Sequence, residues 1–194
     1  MADRELAALM ARYGAPQHVH AVLERVDVAP FDASDRVGEV CMVIRRPAGQ
    51  LITARKRYYP AAAFRLLTGG VGHGEPIERA LLREVDEETG LEVLVRRFLA
   101  RITYASRAEP ERVCFTTYAL LLDEVGGALG PRDPAEQIDS YGLVWPAGLP
   151  TLAAALEQLP DRLGDDIRGS WRTWGAFRAV AHRVVHQALT SGGG

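Results

Sequence analysis

Residues 69–91 read GGVGHGEPIERALLREVDEETGL, and the fold of the chain turns on this stretch. Gly69 is followed after five residues by Glu75, and seven more lead to Arg83-Glu84-Val85-Asp86-Glu87-Glu88-Thr89-Gly90-Leu91. The second half has the marks of a helix. Pro76 suits a first helical position, Ile77, Leu81 and Val85 recur every four residues, and Gly90 stands where a helix stops. On that helix Glu84, Glu87 and Glu88 fall at i, i+3 and i+4 and share one face. At about 100° per residue the face borders the apolar stripe instead of opposing it. Like charges at this spacing destabilise a helix by about 0.2–0.5 kcal/mol per pair. A cluster held against the core edge despite that repulsion points to a cation, and three hard oxygen donors match Mg²⁺ or Mn²⁺ rather than zinc.

The stretch resembles the Nudix box, G-x5-E-x7-R-E-U-x-E-E-x-G-U with U aliphatic, and agrees with it at every fixed position. At ordinary residue frequencies such agreement arises by chance on the order of once in a billion starting positions. A solvated Glu-rich helix, the better reading of an isolated E-x-x-E-E, therefore gives way. The resemblance covers roughly residues 37–160 and is specific only in the box. It implies an α/β chain with a Nudix-type α/β/α sandwich around a mixed β-sheet, extended by N-terminal and C-terminal helical additions. It also implies hydrolysis of a nucleoside diphosphate linked to another group X, with Mg²⁺ as cofactor and Mn²⁺ as a substitute. ADP-ribose or another nucleoside diphosphate sugar is the preferred X-bearing substrate.

Glu84, Glu87 and Glu88 are then the metal ligands, with the Gly69 carbonyl completing the site as in relatives. Arg83 orients Glu84 by a charge-assisted hydrogen bond, and Glu84 is the candidate within the box for activating water. Glu75 supports the loop and helix geometry, and Gly69 and Gly70 permit a close backbone approach. Relatives often add an acid from a loop after the box helix, and Glu136 lies in such a loop. Asp133-Pro134-Ala135-Glu136 equally has the residues of a helix start, with Asp at the N-cap and Glu at N3. Both readings of Glu136 stand at this level. Two other uses of the fold also stay open: a nucleotide-sensing protein without hydrolysis, and the isopentenyl-diphosphate isomerase branch, which works through a Cys and a Glu.

Outward from the box, the chain of 194 residues divides into an N-terminal helical lead (1–36), a hydrolase domain (37–160) and a C-terminal helix packed on it (161–194). Leu6, Leu9, Met10 and Tyr13 have helical spacing, and residues 18–28 form either a short helix or an extended lead-in. Residues 37–44 and 51–54 read as strands joined by a turn, hence a hairpin. Arg55-Lys56-Arg57-Tyr58-Tyr59 follows, and Arg55, Arg57 and Tyr58 are candidate substrate-binding residues, since Arg grips phosphate bidentately and Tyr offers a stacking face. The alternative for them is a solvated strand end. Residues 94–104 and 113–122 are strand-like around a polar loop, 141–145 is a short strand, and 149–159 is an apolar helix. In 171–189 the pair His182/His186 has a metal-binding spacing but no third ligand nearby in sequence.

A formal net charge of −2 argues against bulk binding to nucleic acid or anionic membrane. No apolar run of membrane-spanning length occurs. Cys41 and Cys114 sit in apolar runs without metal-binding spacing, which predicts core packing and a reducing cytoplasm. The apolar lead and the Trp171/Trp174 helix offer more apolar surface than a compact core needs, which predicts a homodimer.

Overall fold

The computed structural model describes residues 2–32 and 36–191. A helix α1 (Ala2–Tyr13) precedes strand β1 (Gln17–Leu23), and a single turn α2 (Ala29–Asp32) leads to β2 (Arg36–Arg45). Strands β3 (Leu51–Lys56) and β4 (Arg65–Gly72) bring the chain to the box helix α3 (Ile77–Thr89). Two long strands follow, β5 (Leu91–Ser106) and β6 (Glu109–Gly127), then β7 (Ile138–Val144) and α4 (Leu149–Glu157). A two-strand ribbon, β8 (Leu163–Gly164) with β9 (Gly169–Ser170), runs directly into α5 (Trp171–Ser191).

The seven-stranded sheet has the order β1-β5-β6-β2-β4-β3-β7. It is mixed, because β2 runs parallel to β6 and antiparallel to β4, while β1 runs parallel to β5. Residues 18–28 thus resolve mainly as a strand, one that borders the sheet. The expected hairpin is corrected: β2 and β3 meet only at Arg45 and Leu51, and β4 lies between them for the rest of their length. A short turn joins the two strands, but the box glycines of β4 take the central place.

Alternation along β2 separates two cores. Cys41 and Val43 pack with Phe177, Val184 and Val185 of α5. Val40, Met42 and Ile44 pack with Leu81 and Val85 of α3 and Leu9 of α1. Helices therefore cover both faces of the sheet, an α/β sandwich. A third cluster joins α4 to the start of α5 through Leu156, Trp171 and Trp174. Trp171 and Trp174 are 3% and 1% exposed, so that part of the surface expected to favour a homodimer lies inside one chain, while Met10 of the N-terminal lead is exposed. The prediction for Cys114 is also corrected. It is exposed, with its thiol donating to the Tyr104 carbonyl, while Cys41 is buried; β6 runs past the core at that end.

α1 fixes the start of the box helix. Tyr13 and Arg12 both donate to Glu78, and the Ile77 N–H donates to Glu5. Pro76 is the N-cap, one position earlier than its composition predicts, and Gly90 closes the helix in the left-handed region at φ 62°.

Candidate active site

Two neighbouring strands and the box helix make the site. Gly69 and Gly70 lie in β4, paired with Val40 and Glu39 of β2. Their backbone passes so close to α3 that a Cβ on Gly69 would stand 2.0 Å from the carboxyl carbon of Glu84. Only glycine allows this approach. Arg83 ties the loop to the helix. It donates to both oxygens of Glu75, at 2.9 and 3.0 Å, and to the Gly70 carbonyl at 3.0 Å. Its Nη1 donates to Glu84 Oε1 at 2.8 Å and to Glu87 at 2.9 Å. Glu75 also accepts from the Gly72 N–H at 3.1 Å. The Arg83 bonds hold the Glu75 carboxyl below the usual carboxylate range.

Glu84, Glu87 and Glu136 bring carboxylate oxygens within 4.8 Å of one another, an arrangement that can hold a metal ion. Glu88 stands deeper, 1% exposed, and its Oε2 has no hydrogen-bond partner among the described residues. Burial pushes the Glu88 carboxyl up to about 8, against the pull of Arg65 and Lys56. Burial also raises Glu84, with Arg83 opposing. A deeply buried carboxyl with one oxygen unpartnered among the described residues, beside three more carboxylates, fits a divalent cation, since hard oxygen donors are what such an ion requires.

Glu136 reaches this cluster by a route that separates its two readings. The helix start is there, but Asp133 makes it, accepting from the Ala135 N–H at 2.8 Å. The Glu136 carboxylate instead accepts from Lys56 Nζ at 2.8 Å, and Lys56 lies 3.7 Å from Glu88. Burial works to raise Glu136, yet the Lys56 bond and charge leave it below the usual range.

A cleft of about 400 Å³ over the carboxylates is lined by Arg36, Lys56, Gly69, Glu84, Glu88 and Glu136, among others. It runs into a second cavity of about 400 Å³, which shares Arg36, Lys56, Thr68 and Gly69 and extends to Tyr58, Arg65 and Arg178. Of the sequence-chosen substrate residues, Tyr58 lines this cavity. Arg55 and Arg57 do not: Arg55 pairs with Asp139 and lies over Phe64, and Arg57 is exposed. Lys56, between them, is the cation that faces the carboxylates. Strand alternation carries this signal, since Ile52 and Ala54 pack toward α3 and Lys56 continues their face. Arg65 and Arg178 were passed over by sequence reasoning; Arg65 opens β4 four residues before Gly69, whereas Arg178 lies far from the box in sequence and meets the cavity only through the fold. The His182/His186 pair is structural. His182 bonds the Leu66 N–H and the Arg178 carbonyl, and His186 bonds the Pro146 carbonyl.

A mixed sheet between helical layers, with glycines of one strand pressed against a carboxylate-bearing helix, defines the Nudix class of α/β sandwich. A family model for the NUDIX domain matches residues 35–161. The chain belongs to the NUDIX domain family. It is 32% identical over 117 residues to a protein of Methanocaldococcus jannaschii called ADP-ribose pyrophosphatase, covering 60% of this chain and 66% of that one. The match thus spans just under two thirds of that relative. The crystal structure of a UDP-X diphosphatase superposes with a TM-score of 0.50 at 15% identity, covering 82% of this chain and 65% of that chain. An ADP-ribose pyrophosphatase from Streptococcus suis gives a TM-score of 0.48 at 16% identity, covering 79% and 92%.

Proposed function

We propose that this chain is a pyrophosphohydrolase that cleaves the diphosphate of a nucleoside diphosphate linked to a second moiety X in a Mg²⁺-dependent reaction. The observation that carries this reading is the carboxylate cluster of Glu84, Glu87 and Glu136 beside a cleft that Arg36 and Lys56 line. ADP-ribose is the favoured substrate, on the strength of the 32% identical relative.

Glu84, Glu87, Glu88 and the Gly69 carbonyl would hold the ion. A divalent cation there supplies positive charge against the diphosphate oxygens and acidifies water. The chain's own residues divide the remaining work. Arg83 occupies Oε1 of Glu84, so Oε2 is the oxygen left, either to hold the ion or to take a proton from attacking water. Burial raises the Glu84 pKa, the direction that strengthens a carboxylate as a base. Glu136, held anionic by Lys56, supplies fixed negative charge instead. Lys56 and Arg36 line both cavities and are placed to bind the diphosphate.

Residence in the cytoplasm is in keeping with two free cysteines, and no helix among the described residues is long and apolar enough to cross a membrane. A homodimer would use surfaces other than Trp171 and Trp174. The deciding experiment is a panel of ADP-ribose, UDP-sugars, nucleoside triphosphates, dinucleoside polyphosphates and coenzyme A with Mg²⁺, Mn²⁺ or excess chelator. ADP-ribose turnover that vanishes with chelator and returns with Mg²⁺ supports the reading. Tight binding without turnover would make the chain a nucleotide sensor, and full turnover in chelator would remove the metal.

A further inference from the structure

The cavity beyond the carboxylates is partly built by chain that lies outside the family match. The match ends at residue 161, yet Asp166, Arg168, Trp174 and Arg178 line this cavity. Its walls carry five cations, Arg36, Lys56, Arg65, Arg168 and Arg178, against two carboxylates, Glu39 and Asp166. Arg36 and Lys56 also border the carboxylate cleft, so the scissile diphosphate accounts for them. Of the other three, Arg65 donates to Thr68 and the Leu66 carbonyl, Arg178 pairs with Glu39 and Arg168 is exposed, and the lining as a whole keeps a surplus of positive charge.

Arg178 is held rigidly in this wall by Glu39. Its side chain is 9% exposed, and its Nη1 donates to both oxygens of Glu39, at 2.8 and 2.7 Å. Its Nε is buried with no partner among the described residues. A buried donor without an acceptor costs on the order of 1–3 kcal/mol; this one is closed off from solvent, and it is the rest of the Arg178 side chain that a ligand in the cavity would meet. Arg168 adds a second cation from the turn before β9. Its φ of 48° is left-handed, a conformation where Asn or Gly sits more readily.

We propose that this cavity is a subsite for a phosphate group that the substrate carries in addition to its scissile diphosphate, with Arg168 and Arg178 as its recognition residues. A phosphate dianion accepts from several guanidinium groups at once, which matches the lining better than a neutral sugar does. The inference rests on the nucleoside diphosphate reading for the identity of the larger ligand, and within that class it favours a phosphorylated derivative over ADP-ribose itself, which carries no further phosphate.

The test is binding, measured by calorimetry on the full chain in chelator so that no turnover occurs. The probes are two pairs: coenzyme A with 3′-dephospho-coenzyme A, and ADP-ribose 2′-phosphate with ADP-ribose. In at least one pair the phosphorylated member should bind about tenfold more tightly or better. Arg168→Asn, which tolerates the left-handed turn, should bring that ratio close to one, and Arg168→Lys should retain part of it. Equal affinity within both pairs, or an undiminished ratio in a folded Arg168→Asn protein, overturns the subsite. A clear ratio with no hydrolysis when Mg²⁺ is added would instead sink the proposed activity and leave the subsite standing.

Discussion

At the scale of single residues, the site depends on one missing methyl group. A Cβ at position 69 would lie 2.0–2.2 Å from three atoms of Glu84, and Glu84 is 7% exposed and tied to Arg83. Gly69→Ala should therefore displace the carboxylate and cut turnover by about a hundredfold or more, the scale of losing a transition-state contact. Circular dichroism should show an intact fold, and a variant with near-parental kcat/KM would mean that Glu84 is not where the reaction needs it. Glu136→Gln poses the companion question. Gln keeps a hydrogen-bonding oxygen for Lys56 but loses the charge, so turnover should fall by about a hundredfold while melting stays normal. Parental rates across the pH range would return Glu136 to the loop as a structural residue. The box made Glu84, Glu87 and Glu88 legible in the sequence because helical spacing alone brings them together. Lys56 was legible in principle, through the alternation of Ile52, Ala54 and Lys56. Arg178 was not, since its partner Glu39 lies 139 residues away.

At the scale of elements, sequence patterns located the strands well and their neighbours poorly. Each strand's own alternation marks it, but nothing local states that β4 sits between β2 and β3, or that β1 borders β5 in parallel. Those pairings are chosen by which apolar faces can be covered together. The join between α5 and β4 is of this kind, and it is testable. His182 of α5 accepts from the Leu66 N–H of β4 at 3.0 Å, and its Nδ1–H donates to the Arg178 carbonyl at 2.8 Å. Accepting from Leu66 requires a neutral ring, since both nitrogens of the charged ring are donors, and burial pulls its pKa from 6.5 to about 4. The unfolded chain then binds a proton that the folded chain refuses, so stability is full above 6.5 and falls as the pH drops toward 4. Between pH 7 and pH 5 this one group should remove about 2 kcal/mol. Urea denaturation of the parent and of His182→Gln at both pH values isolates the effect, because the variant lacks it whatever its stability at neutral pH. Identical pH slopes in the two proteins would contradict the buried neutral imidazole.

At the scale of the whole molecule, the metal site lies across a seam of the fold. β4 is an interior strand of the sheet, α3 covers one face, and the loop between them carries Glu75, which Arg83 binds. The seam is loaded with carboxylates: Glu84 and Glu88 are buried, and Glu88 Oε2 has no partner among the described residues. Any ion that binds this folded arrangement and not the unfolded chain must stabilise the molecule as a whole. At a hundred times its dissociation constant Mg²⁺ should add about 2.7 kcal/mol, and at about 2–4 °C per kcal/mol for a chain of this size the melting temperature should rise by several degrees. Glu88→Gln separates this from a general salt effect. Lys56 keeps Glu136 as its partner, so removing the buried Glu88 charge, one oxygen of which has no partner among the described residues, should leave the ion-free protein as stable as the parent or slightly more so, while shrinking its response to Mg²⁺. Scanning calorimetry of both proteins, with and without Mg²⁺ at constant ionic strength, reads both effects. If the parent ignores Mg²⁺, or if Glu88→Gln responds to it as strongly as the parent, the carboxylates of the box helix are a solvated cluster and not a metal centre.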